Sequence, residues 1–217
     1  MKYYNIGRSD DLKVIGHYPQ TTLREGYNPS LPDSHWQVKP HEFPNFIPNL
    51  ELELHKNANR TDYLHFHDIS GFIISEKFKS ILKTFNLRSH AFYPIKVYHK
   101  GELLEYFWFH YILNIWEYVD LDRSTAQVVK KFEREIEKII PIPDLTNLEE
   151  YEKSLGFEKC LKINKLYLKK NYPYFDVIKI TKVQFIPRLF SLDLLNALQE
   201  SGITGFEAKL FDKINCE

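Results

Sequence analysis

The stretch Phe72-Ile73-Ile74-Ser75-Glu76-Lys77-Phe78-Lys79-Ser80-Ile81-Leu82 decides the fold class. A three-residue apolar run ends at a serine, a residue type that readily accepts a hydrogen bond from the unpaired N–H groups of a helix start. Behind it Phe78, Ile81, Leu82 and Phe85 recur at helical spacing, so the unit reads strand, N-cap, helix. Ala91 to Tyr98 follows as a strand, with Pro94 marking an edge or a bulge because proline cannot donate to a ladder. The same grammar returns at a constant offset of 116 in Arg188-Leu-Phe-Ser191-Leu-Asp-Leu194-Leu-Asn-Ala197-Leu198. Gly202 ends that second helix in the left-handed conformation, which Asn86 also tolerates after the first. Phe206, Ala208 and Leu210 then alternate as a closing strand. These signals predict an α+β protein: a mostly antiparallel or mixed sheet packed by a few amphipathic helices, with one strand-helix-strand unit used twice.

Working outward, Leu103 to Trp116 is aromatic and branched and reads as strand structure with a turn near Asn114. Ala126 to Ile140 carries Val128, Val129, Phe132, Ile136, Ile139 and Ile140 at helical spacing, which predicts an amphipathic helix ended by Pro141. Thr146-Asn-Leu-Glu149 has the capping-box pattern and predicts a short helix to Leu155, stopped by Gly156. Leu161 to Leu168 and Tyr174 to Val183 are further expected strands. Six of the eleven prolines fall in the first 48 residues, and Pro40, Pro44 and Pro48 recur every fourth position. A helix interior does not tolerate that spacing, so residues 1–60 are expected as an extended proline-rich segment, with Phe43, Phe46 and Ile47 pinning it to an α+β body over 61–217. The whole is expected as a single domain.

With 29 Lys and Arg against 29 Asp and Glu, the chain lacks the basic excess of a general nucleic-acid or membrane-surface binder. The N-terminus has no apolar leader-like run, and the apolar stretch Tyr106 to Trp116, broken by His110 and Asn114, is too short to span a bilayer. A cytoplasmic protein is expected. Cys160 and Cys216 are far apart and offer neither a redox pair nor a Cys-rich zinc site, so two reduced thiols are expected.

Several constellations resemble chemistry. In His65-Phe66-His67-Asp68 the two histidines alternate onto one face of an extended chain, and together with Asp68 they could begin a metal-dependent hydrolase site. No HExxH or repeated HxH supplies the remaining ligands. Asp120 and Asp122 also share a face, but at a strand end aspartates commonly accept backbone amides, and Ser124 is placed to cap the next element. There is no GxSxG nucleophile elbow and no glycine-rich phosphate loop. The aromatic run Tyr106-Phe-Trp-Phe-His-Tyr111 has no Lys or Arg between Gly101 and Asp122, so it reads as a packed sheet face rather than a base-stacking platform. No catalytic residue, cofactor or metal is assigned.

The order Ser75-Glu-Lys-Phe-Lys, then His90-Ala-Phe-Tyr-Pro94-Ile, then Val119-Asp120-Leu121-Asp122-Arg-Ser124 resembles a bacterial immunity-protein family, formerly a domain of unknown function, found in polymorphic-toxin and type VI secretion loci. Arg188-Leu-Phe-Ser191 through Gly202-Ile-Thr-Gly205-Phe206 resembles that family's C-terminal end. The resemblance covers residues 60–125 and 185–211 and leaves the first 55 unmatched. It implies an α+β protein without catalytic residues that binds a cognate toxin effector domain, encoded by a neighbouring gene, and silences it by stoichiometric occlusion in the cytoplasm.

Charge supplies the candidate contact residues. Residues 101–158 hold six Lys and Arg against thirteen Asp and Glu, whereas residues 159–182 hold seven basic residues and only Asp176. Solvated faces carry such charge routinely, yet an acidic surface also suits the basic groove of a nuclease toxin. Asp144, Glu149, Glu150 and Glu152 cluster at the start of the short helix with few apolar neighbours and are the expected partner-binding residues. The alternative is the small hydrolase using His65, His67 and Asp68.

Overall fold

Ser75 caps its helix as the sequence requires: its backbone is extended at φ −69° and ψ 165°, and its Oγ accepts the Phe78 N–H at 3.2 Å. The computed structural model describes residues 2–142, 144–183 and 186–216, with the side chains of 145–147, 149 and 216 outside that description. Its elements in chain order are β1 (Tyr3–Arg8), α1 (Leu12–Ile15), β2 (Thr21–Leu23), β3 (Glu51–Leu54), β4 (Tyr63–Leu64), β5 (Phe72–Ser75) and α2 (Glu76–Leu82). Then come β6 (His90–His99), β7 (Glu102–Tyr111), β8 (Val119–Lys130), β9 (Ile136–Pro141), α3 (Leu145–Ser154) and β10 (Lys159–Leu168). The chain closes with β11 (Val177–Lys179), β12 (Arg188–Ser191), α4 (Leu192–Glu200), β13 (Phe206–Phe211) and β14 (Ile214–Cys216).

Three sheets result, ordered β2-β3-β6-β7-β5-β4, β14-β10-β8-β9 and β11-β12-β1-β13. They are mixed: β3 with β6 and β10 with β14 are parallel, whereas β6–β7, β8–β10, β8–β9 and β11–β12 are antiparallel. This is the expected α+β class. The chain groups into two compact units, residues 1–6, 114–192 and 209–217 in the first and 7–113 with 193–208 in the second.

In the second unit β6 and β7 pair along their full lengths, from His90↔Tyr111 to His99↔Glu102. Alternation along β7 sends Trp108 into a core with Leu52, Leu54, Ile73 and Val97, and sends Phe109 and Tyr111 to the opposite face. There Phe109 stacks on Phe92 and on Tyr111, with centroids 5.1 Å apart in each pair. The aromatic run is therefore sheet packing, as its lack of interleaved cations predicts. Pro94 pairs with Phe107 on the β7 side; β3 engages β6 only from Lys96 to Tyr98, so Pro94 occupies a locally open edge. Helix α2 buries Phe78 and Leu82.

The two strand-serine-helix units share one clasp. The Ser75 hydroxyl donates to the Asp62 carboxylate at 2.7 Å and its N–H to the Asp62 carbonyl at 2.8 Å. Likewise the Ser191 hydroxyl donates to the Asp176 carboxylate at 2.5 Å and its N–H to the Asp176 carbonyl at 2.9 Å. Each aspartate directly precedes the first strand of a short antiparallel pair, β4–β5 or β11–β12. The other Asp62 oxygen accepts both the N–H and the hydroxyl of Thr204 at 3.0 Å. Gly205 follows with φ +93°, where a Cβ would fall 2.4 Å from the Tyr63 carbonyl; only glycine admits that approach. Gly202 ends α4 at φ +65°. Asn86 does not adopt a positive φ, so the echo stops short of the first helix end.

In the first unit β8 is an inner strand of its sheet, paired with β10 on one side and β9 on the other. This corrects the helix expected over Ala126–Ile140. Val128 and Val129 are both buried, so both faces of β8 are covered. A strand covered on both faces shows no alternation, and its apolar run imitated a helical stripe. The Lys130 N–H donates to the Glu135 carbonyl at 2.9 Å and Arg134 takes φ +59°, closing a hairpin that leaves Phe132, Ile136 and Ile139 exposed. Strand β11 occupies only Val177–Lys179 of the strand expected over Tyr174–Val183. Residues 1–60 include β1, α1, β2 and β3 as well as an extended run through Pro40, Pro44 and Pro48 that forms neither strand nor helix. Phe43 meets His110 edge-on at 5.5 Å, whereas Ile47 is exposed and anchors nothing.

Phe78→Ala and Leu194→Ala should each cost about 2–5 kcal/mol, since both side chains are fully buried on their helices and truncation leaves a cavity. Urea melts check this; losses below about 1 kcal/mol at both positions would show that these faces do not carry the packing.

Candidate partner-binding surface

Helix α3 forms where the sequence places it, and Gly156 stops it at φ +67°. The Leu148 N–H donates to the Asp144 carbonyl at 3.0 Å, while the Thr146 and Glu149 side chains of the expected capping box lie outside the described residues. Leu148 is buried. Tyr151 reaches over the sheet, with the Lys138 ammonium 5.6 Å from its ring centroid.

The structure separates the expected contact residues. Glu150 is exposed and Asp144 is half-buried. The Glu149 side chain is outside the description. Glu152 turns inward, where its Oε2 accepts the Leu161 N–H at 2.9 Å, filling a backbone position on β10 that no strand occupies among the described residues. Burial pushes the Glu152 carboxyl up, against the lowering effects of that hydrogen bond and of Lys131.

Around Glu152 lies a pocket of about 440 Å³ lined by Lys131, Lys153, Lys159 and Lys182. Lys159 also pairs with Glu137 at 2.7 Å. The Lys131 N–H donates to the Glu158 carbonyl at 2.8 Å, which ties the β8–β9 turn to the α3–β10 turn. The sequence neighbours of that bonded pair, Phe132 and Phe157, are 73% and 75% exposed. Beside them β9 is an outer strand whose Ile136 and Ile139 are more than half exposed. Exposed aromatics next to a charged pocket are what protein interfaces use as anchors.

The other candidates do not assemble. The strand ends at Leu64, so His65 and His67 follow it rather than sharing one of its faces, and their rings meet edge-to-face at 4.5 Å. Among the described residues no group of three His, Cys, Asp or Glu is placed to hold a metal ion. Asp120 and Asp122 lie within β8. There the Ser124 hydroxyl donates to the Asp120 carbonyl at 2.6 Å and accepts the Tyr167 N–H at 3.0 Å, bridging the irregularity in the β8–β10 ladder between Lys165 and Tyr167. Cys160 is buried, and that burial pushes its thiol up, the opposite of an activated nucleophile. Among the described residues no helix is long and apolar enough to cross a membrane.

The family model of the Imm11 immunity proteins matches residues 2–153, and the chain belongs to that family. The match runs to the N-terminus, through the segment the sequence resemblance left unmatched, and it reaches into α3. Among curated proteins none matches the chain. Immunity families are generally non-enzymatic.

Glu152 gives a test of pH dependence. Its carboxyl rises above 4.5 on folding, so the folded state holds the proton more tightly than the unfolded chain, and stability falls as pH rises from that value through the raised one. Glu152→Gln keeps an acceptor for the Leu161 N–H and removes the charge. Its urea midpoint should gain on the wild type between about pH 4 and about pH 7. A gap that narrows with rising pH would contradict the inward placement.

Proposed function

We propose that the protein neutralises one cognate secreted bacterial toxin by binding its effector domain in the cytoplasm and occluding the toxin's active site or substrate channel, one chain per toxin. The Imm11 match over residues 2–153 carries this reading. The cognate toxin is the product of a neighbouring gene in a polymorphic-toxin or type VI secretion locus. Such complexes commonly bury about 1,200–2,000 Å² and depend on a few anchors inside a polar rim. Asp144, Glu149 and Glu150 form the proposed acidic side of the contact, facing a basic region of the toxin, and Glu152, expected with them, sits inward against β10. Opposite potentials there speed encounter and disfavour wrong partners.

Glu150 is the residue through which to test the acidic side, because Glu152 also serves β10. Cells expressing the toxin domain of the adjacent gene should survive when this chain is co-expressed. Equal death with and without it, both proteins being soluble, would refute the reading. Glu150→Lys should slow association by several-fold at low salt and little at high salt, since rim charges act mainly on the on-rate. Stopped-flow measurement at two ionic strengths decides this.

A further inference from the structure

We infer that the lysine-ringed pocket at the C-terminal end of α3 seats an acidic side chain of the toxin, carried on a segment whose apolar neighbours pack on Phe132 and Phe157; this rests on the toxin-binding reading above. Lys131 and Lys153 line the pocket together with Lys182 and with Lys159, which is paired to Glu137 at 2.7 Å; the one carboxylate inside it, Glu152, has its Oε2 engaged by the Leu161 N–H. The excess positive charge calls for an anion, and the lysines outweigh the weak negative end of the helix dipole there. A volume of about 440 Å³ lies at the small end of ligand pockets, so it takes one or two side chains rather than a helix.

The rim selects the kind of anion. Glu133, Glu150 and Glu158 are exposed on the same turns and helix that build the pocket, whereas Glu135 is paired with Lys130 at 3.2 Å. An extended polyanion such as single-stranded nucleic acid would run against those carboxylates, whereas a protein segment can present one carboxylate to the pocket and basic or neutral groups to its rim. Phe132 and Phe157, brought to one end by the bond between Lys131 and Glu158, add the apolar contact that a protein segment can use. The surface is therefore two-signed along α3: an acid on the partner meets the C-terminal end, and the partner's basic groups meet Glu150. Opposed charges of this kind fix the orientation of the partner as well as its approach.

The experiment measures binding of the adjacent gene's toxin domain to the full-length chain by interferometry, with wild type, Lys131→Glu, Lys153→Glu, Phe132→Ala, Phe157→Ala and the remote control Lys170→Glu. Lys153→Gln serves as a milder second variant, and circular dichroism checks that each variant is folded. The proposal expects both lysine reversals and both phenylalanine truncations to weaken affinity by about tenfold or more, and Lys170→Glu to have no effect. A Glu→Lys or Asp→Lys scan of the toxin should find one reversal that restores binding to Lys153→Glu. If wild type binds and all four pocket variants match it, the pocket assignment is overturned while toxin binding stands. Binding of oligo(dT) that depends on Lys153 would overturn it in favour of nucleic acid. Wild type that does not bind the toxin domain removes both readings.

Discussion

Two serines that stand directly before helices hang on an aspartate each. Ser75 and Ser191 each give their hydroxyl to a carboxylate, 13 and 15 residues upstream, and their N–H to the same aspartate's carbonyl. Losing one partner of a hydrogen-bonded pair shielded from solvent costs more than the pair contributes. Each clasp therefore fixes where a short strand stops and a helix starts. In the second unit Asp62 also holds Thr204, so a single carboxylate joins the start of α2 to the loop before β13. That loop can pass only because residue 205 is glycine.

With its strands fixed, the first unit finishes its sheet on an outer strand that does not bury its own apolar residues. Ile136 and Ile139 of β9 stay more than half exposed, and the tie between Lys131 and Glu158 carries Phe132 and Phe157 to the same end. Helix α3 covers the free edge of β10 through Glu152. Its inward turn leaves four lysines around a recess. Exposed apolar surface next to concentrated charge is characteristic of interaction sites, and its position follows from packing rather than from any local motif.

The sequence was most legible where local chemistry decides structure. The Ser75 cap, the strands β6 and β7, α3 and the stop at Gly156 all follow from neighbouring residues. It misled over Ala126–Ile140, because a strand buried on both faces and a helix with an apolar stripe can share one pattern of Val and Ile. The acidic cluster was legible as composition. The inward turn of Glu152 was not, since it depends on a vacant N–H at Leu161, nine residues on. The lysine pocket was hard to read for the same reason: Lys131, Lys153, Lys159 and Lys182 come from separate elements. One signal did point to it, the basic stretch that begins at Lys159 immediately after the acidic one.

Hydrogen–deuterium exchange of the full-length chain, with and without the adjacent gene's toxin domain, tests most directly whether this end of the first unit is where a partner docks. The account predicts slower exchange in the complex over residues 130–137 and 150–159, with the β6–β7 hairpin unchanged. Protection confined to the proline-rich run or to the β6–β7 hairpin, with none at the two turns that carry Phe132 and Phe157, would contradict it.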